Sequence, residues 1–162
     1  MKWICNSKMN NLVASLTDDT SEVLCSDVCK LQALYVPSFK KVNDCVLISK
    51  KNVAMLAESF DKALTMYGDK TGYEASNTET CINDFFDNTL SLQSGTKIAL
   101  SVIKLWALQL KELDPSSRFC IILCCEEERI EVRVHKVRDN ELPWFTGDIE
   151  SDVDCAIGFA FV

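Results

Sequence analysis

Apolar residues change period several times along the chain, and each change marks an element. Met9, Leu12, Val13 and Leu16 recur at helical spacing. Asp19, with Thr20, Ser21 and then Glu22 three residues on, reads as an N-cap, and Leu24, Val28, Leu31 and Tyr35 continue a helix that ends before Pro37. The run from Asp44 to Ile48 is short and apolar, a buried strand or a lead-in. Ser49 then caps a helix carrying Val53, Leu56, Ala57, Phe60, Leu64 and Tyr67, which Gly68 stops. From Thr71 to Asp87 the pattern reads as two short strands, Gly72 to Ser76 and Thr80 to Phe86, around an Asn-bearing turn at Asn77.

Ser91 caps the longest helix, Leu92 to Leu113, stopped by Asp114 and Pro115. Its lysines, Lys97, Lys104 and Lys111, mark one narrow solvated stripe, and Ile98, Val102, Leu105, Trp106, Leu110 and Leu113 leave a wide apolar surface. Phe119 to Cys125 is an apolar run of strand length, Glu126 to Arg129 a polar hairpin loop, and Ile130 to Val137 alternates with period two, a strand with one wet face. A loop with Pro143, Trp144 and Phe145 leads to a last strand, Cys155 to Val162. The order predicts an α+β fold in a single domain, residues 1–162. Helices pack on one side of an antiparallel sheet, and a long central helix is followed by a C-terminal β-meander. Residues 1–70 form its helical part, and residues 71–162 carry the hairpin, long helix and strands.

A chain of 162 residues with 48% hydrophobic content and only five glycines and three prolines folds around a core and is not low-complexity. Its 24 acids against 17 Lys and Arg give a net charge of −7, which argues against a phosphate-backbone binder and favours a basic partner. The N-terminal apolar run is too short for a signal peptide, and Ile98 to Leu110 falls short of the ~20 residues of a membrane span. No membrane association and a cytoplasmic location are therefore expected. Nine cysteines without a C-x-x-C pair read as reduced, mostly buried thiols, and one histidine makes a zinc site unlike the usual ligand sets. No metal or cofactor is expected: the glycines never form a phosphate-binding fingerprint.

Two acidic runs stand out. Glu126, Glu127 and Glu128 form either a solvated hairpin tip or a collector for a cation or basic partner. Asp148, Glu150, Asp152 and Asp154 alternate, so in extended form they project from one face about 6.5–7 Å apart. They read as a solvated face, a protein interface or, less well, a calcium site lacking the loop glycine. His135, on the polar register with Glu131 and Arg133, reads as a surface or cross-strand hydrogen bonder. A cysteine nucleophile paired with it has no support in the spacing. Trp144 and Phe145 either lid the core or anchor an interface.

The stretch from Gly72 to Val162 resembles bacterial immunity proteins of contact-dependent growth inhibition and related polymorphic toxin systems. The residues that carry the resemblance are Gly72–Ser76, Ile82–Asp87, Leu105 and Trp106, Leu110 and Lys111, Arg118 and Phe119, Val132–Arg138, and Pro143 and Trp144. It implies a non-enzymatic cytoplasmic protein that neutralises one cognate toxin domain, most often a nuclease, by covering its active site or substrate surface. It binds no nucleic acid directly. Acidity fits that role, because a nuclease surface that holds phosphate is basic. The candidate toxin-binding residues are Asp148, Glu150, Asp152, Asp154, Glu126, Glu127, Glu128 and Trp144. The alternative is a small adaptor or regulatory binding protein without a toxin.

Overall fold

Strand β1 (Lys2–Cys5) opens the chain and leads into helix α1 (Ser7–Ala14) and helix α2 (Val28–Tyr35). A hairpin of β2 (Phe39–Val42) and β3 (Cys45–Ile48) follows, then three short helices: α3 (Val53–Glu58), α4 (Phe60–Tyr67) and α5 (Lys70–Asn77). A two-residue strand β4 (Thr80–Cys81) precedes the long helix α6 (Leu92–Leu113). Strands β5 (Phe119–Cys125), β6 (Ile130–Lys136) and β7 (Ala156–Phe161) complete the fold. This is a computed structural model, and it describes residues 1–16, 24–49, 51–151 and 155–162.

The five-stranded antiparallel sheet has the order β1-β7-β5-β6-β4, and β2-β3 form a separate two-stranded sheet. The fold is α+β, as the pattern predicts. Register sorts the side chains. Phe119, Ile121, Leu123 and Cys125 face α6 with Val132, Val134 and Ala160, and they bury Ala99, Val102, Ile103, Trp106 and Leu110. Trp106 is fully buried, and its indole N–H donates to the Leu34 carbonyl at 2.9 Å, fixing α2 on α6. The opposite face carries Cys120, Ile122, Ile157 and Phe159, and the loop of residues 137–151 covers it with Val137, Phe145 and Ile149.

Several elements differ from the pattern. Helix α2 starts at Val28 because Asp27 caps it, accepting from the Cys29 and Lys30 amides. The expected cap at Asp19 lies outside the described residues, and Leu24 is held outside any helix by Asp87 and Asn88. Asn52, not Ser49, caps α3, and Ser59 divides the expected long helix in two. Strands β1 and β2 were not expected. The β2–β3 turn is made by Asn43 and Asp44 at φ +47° and +68°, the left-handed pair a two-residue hairpin demands. Gly68, at φ +88°, does stop the helix before it. Along α6, Leu105 and Leu108 are exposed beside Lys104 and Lys111.

The largest correction concerns residues 72–76, which form helix α5 and not a strand. Asp69 caps it through the Gly72 amide. The helix lies along the edge of β6 and its side chains replace a missing strand. Thr78 Oγ accepts from the Val134 amide and donates to the Val134 carbonyl, and Glu74 accepts from the Lys136 amide. On its other side Glu74 accepts from the Val46 amide and Asn77 from the Ile48 amide, both on β3. An open strand edge and the small sheet are thus satisfied by one short helix.

Candidate functional site

Glu126, from the first acidic run, lies close to the residue that precedes β7. Because Cys125 pairs with Ala156, the β5–β6 hairpin ends beside the residues entering β7, and Glu126 lies with Cys124 and Cys155 in one cluster whose polar atoms are all within 4.8 Å. On the other flank, Asn6 bonds the Cys155 and Ile149 carbonyls, and the Ser7 amide donates to both Glu150 oxygens at 3.0 and 3.1 Å. Glu126, Glu127 and Glu128 are exposed, and none of them makes an ion pair among the described residues. By contrast Arg129 and Arg133 are engaged by Glu79 and Glu131.

Asp148 and Glu150 do not share the expected extended face. Residues Ile149–Ser151 form a 3-10 turn, which Asp148 closes by accepting from the Glu150 amide, and Glu150 caps α1. Local hydrogen bonding won over extension there. Asp152 and Asp154 lie outside the described residues. Trp144 is 42% exposed, with the Arg133 guanidinium 5.5 Å from its ring.

The cysteines also depart from expectation. Cys124 and Cys155 form a disulfide, so the set is not uniformly reduced. Both sit on the sheet face away from the helices, and β5–β7 pairing brings the two strand ends together, which spacing along the chain cannot reveal. The remaining seven are free. Burial pushes the Cys45 and Cys120 thiols up to about 12 and Cys125 to about 11.

His135 is buried, 3% exposed, not at a surface. It shares one face of β6 with Glu131 and Arg133, as the alternation predicts, but the face expected to be wet is roofed by the 137–151 loop. Cys120 is its direct cross-strand partner, and both line a cavity of about 360 Å³ under that loop. No hydrogen bond links thiol and ring. His135 Nδ1 lies 3.1 Å from the Lys136 carbonyl oxygen. A carbonyl only accepts, which assigns the proton to Nδ1, and burial holds the ring's pKa below its ordinary value. A neutral imidazole beside an undissociated thiol is not an activated nucleophile pair.

Residues 4–160 match the model of the Uncharacterized protein PM0498 family. The chain belongs to that family. No curated protein and no solved structure matches it.

In this PM0498-family chain a buried ion pair lies beside the cavity, and the sequence pattern does not reveal it. Glu74, 0% exposed, takes Arg138 bidentately at 2.7 and 3.0 Å while accepting the two backbone amides from β3 and β6. Burial pushes its carboxyl up, and Arg138 with those amides pulls against it. Arg138 also reaches the Asp44 carbonyl, and its Nε is buried without a hydrogen bond, 3.5 Å from Asp44 Oδ2. Glu141 accepts from the Thr71 amide and hydroxyl at 2.9 and 2.7 Å, tying the loop to the start of α5. A glutamate within an apparent strand gave no signal, because its partners come from three other segments.

Proposed function

We propose that this protein is an immunity protein that neutralises a cognate toxin domain by binding it, with the Glu126–Glu128 hairpin tip at the centre of the contact. The observation that carries the reading is that tip: three exposed carboxylates with no ion pair among the described residues, at the sheet end where Cys125 pairs with Ala156. A net charge of −7 gives the same sign to the whole molecule, so a basic partner is steered to it and its phosphate-binding surface is covered. The resemblance of residues 72–162 to toxin-system immunity proteins supports the same role. Asp148 is the flanking candidate, and Trp144 is a separate aromatic contact. Glu150 serves mainly to cap α1. The proposed setting is the cytoplasm, where the Cys124–Cys155 bond is subject to reduction. No described helix is long and apolar enough to cross a membrane.

The test uses the polypeptide encoded immediately upstream. A one-to-one complex whose affinity falls with added salt, and falls further on reversing Glu126, Glu127 and Glu128 to Lys, is the expected result. Each desolvated pair lost costs about tenfold or more in affinity. Binding indifferent to both salt and charge reversal overturns the electrostatic account, and no binding of that polypeptide overturns the toxin reading.

A further inference from the structure

The cavity under the 137–151 loop is separate from the acidic tip, and its walls specify a ligand. Phe145, Phe159, Phe161, Ile4 and Leu142 make it mainly apolar. Its volume of about 360 Å³ falls at the small end of the roughly 300–1,000 Å³ range of ligand pockets. The charged side chains that reach it are already matched. Lys136 is paired with Asp44 and Asp114, Arg138 with Glu74, and Glu141 is engaged by Thr71. An anion would meet the Glu141 carboxylate, and a cation would meet Lys136 and Arg138. A neutral molecule meets neither penalty.

One polar group in the wall has unfilled capacity. With Nδ1 committed to the Lys136 carbonyl, the buried His135 ring keeps Nε2 as an acceptor, and no protein donor bonds it among the described residues. The geometry points to a binding site for a small, neutral, largely apolar molecule that carries one hydroxyl or N–H donor, with the donor delivered to His135 Nε2. Phe145 packs on Phe159 at 5.9 Å and forms the loop side of the wall, so the loop is the roof over the bound molecule. Cys120, across the sheet from His135, is part of the floor. This site does not depend on the toxin reading.

The experiment titrates three matched probes, 1-naphthol, 1-methoxynaphthalene and 1-naphthoate, into the full chain and follows tryptophan fluorescence and amide NMR shifts. Expected is saturable naphthol binding about tenfold tighter than its methyl ether, the worth of one neutral hydrogen bond, with naphthoate weaker than naphthol. Shifts centre on His135, Phe145 and Phe159. His135→Phe removes the preference for naphthol over its ether, and His135→Gln, which retains an acceptor, restores it. Absence of saturable binding by any probe, an equal affinity for naphthol and its ether, or shifts centred elsewhere overturns the proposal. If His135→Phe does not fold, as circular dichroism will show, the wild-type probe ratio and shift map decide it.

Discussion

Glu74 holds four donors on two oxygens in a site closed to water, so its removal takes the acceptor from two backbone amides and the nearest carboxylate from Arg138. Glu74→Ala is expected to cost about 3–5 kcal/mol, measured by denaturant unfolding, because the guanidinium keeps only the more distant Asp44 and Glu141 carboxylates. His135 gives a pH signature. Burial depresses its pKa in the fold below the ordinary 6.5, so as pH drops through about 6.5 the unfolded chain takes up a proton that the native chain refuses. Stability therefore falls toward acid by at most about 1.4 kcal/mol per pH unit from this group. His135→Gln should flatten that limb of the stability curve. Asp114 acts in a lower window. Lys41, at 2.6 Å, and Ser117 hold its carboxyl well below the usual range, so its contribution is intact above about pH 4 and is lost as pH falls further. His135 stands out in the sequence as its one histidine, whereas nothing near Glu74 distinguishes it from the other acids among 24.

Among the elements, α6, β5 and β6 follow directly from local pattern, since each is long enough for its period to dominate. Helix α5 does not. Its eight residues, Thr71, Glu74, Ser76 and Asn77 among them, look polar and strand-like, and the helix is held because Glu74 and Asn77 bond β3 while Glu74 and Thr78, just past the helix end, bond the β6 edge. Thr78→Val, which keeps the shape and removes both bonds to Val134, is expected to cost about 1–3 kcal/mol and to speed hydrogen exchange at the Val134 amide. Strand β1 rests on a different device. Trp3 lies over Gly158 of β7, and a Cβ there would come within 2.3 Å of the indole ring. Gly158→Ala should destabilise by roughly 1–3 kcal/mol through overpacking. Pairing it with Trp3→Leu should recover part of the loss, a coupling that a double-mutant cycle measures.

For the molecule as a whole, the Cys124–Cys155 bond closes a loop across 31 residues that contains β6 and the entire roof of the cavity. In the chain-entropy account a loop of that length contributes about 3–4 kcal/mol, so reduction, or replacement of both cysteines by Ala, should lower the unfolding midpoint correspondingly. Reduction is also expected to raise protease sensitivity in residues 137–151 first, because that loop spans the bond. The acidic tip and the cavity lie at different places on the same sheet. Charge reversal at Glu126–Glu128 should leave probe binding at His135 unchanged.

Period and punctuation along the chain determined the α+β class, the long helix, the β5–β6 hairpin and its acidic tip. These depend on contacts within a few residues, where repeating apolar positions and caps act directly. Tertiary structure alone decided that β1 and α5 complete the sheet, that Cys124 meets Cys155, and that the polar face of β6 is roofed. Each of these joins residues far apart in sequence, and its energy comes from desolvation and hydrogen bonding that exist only once the segments have met.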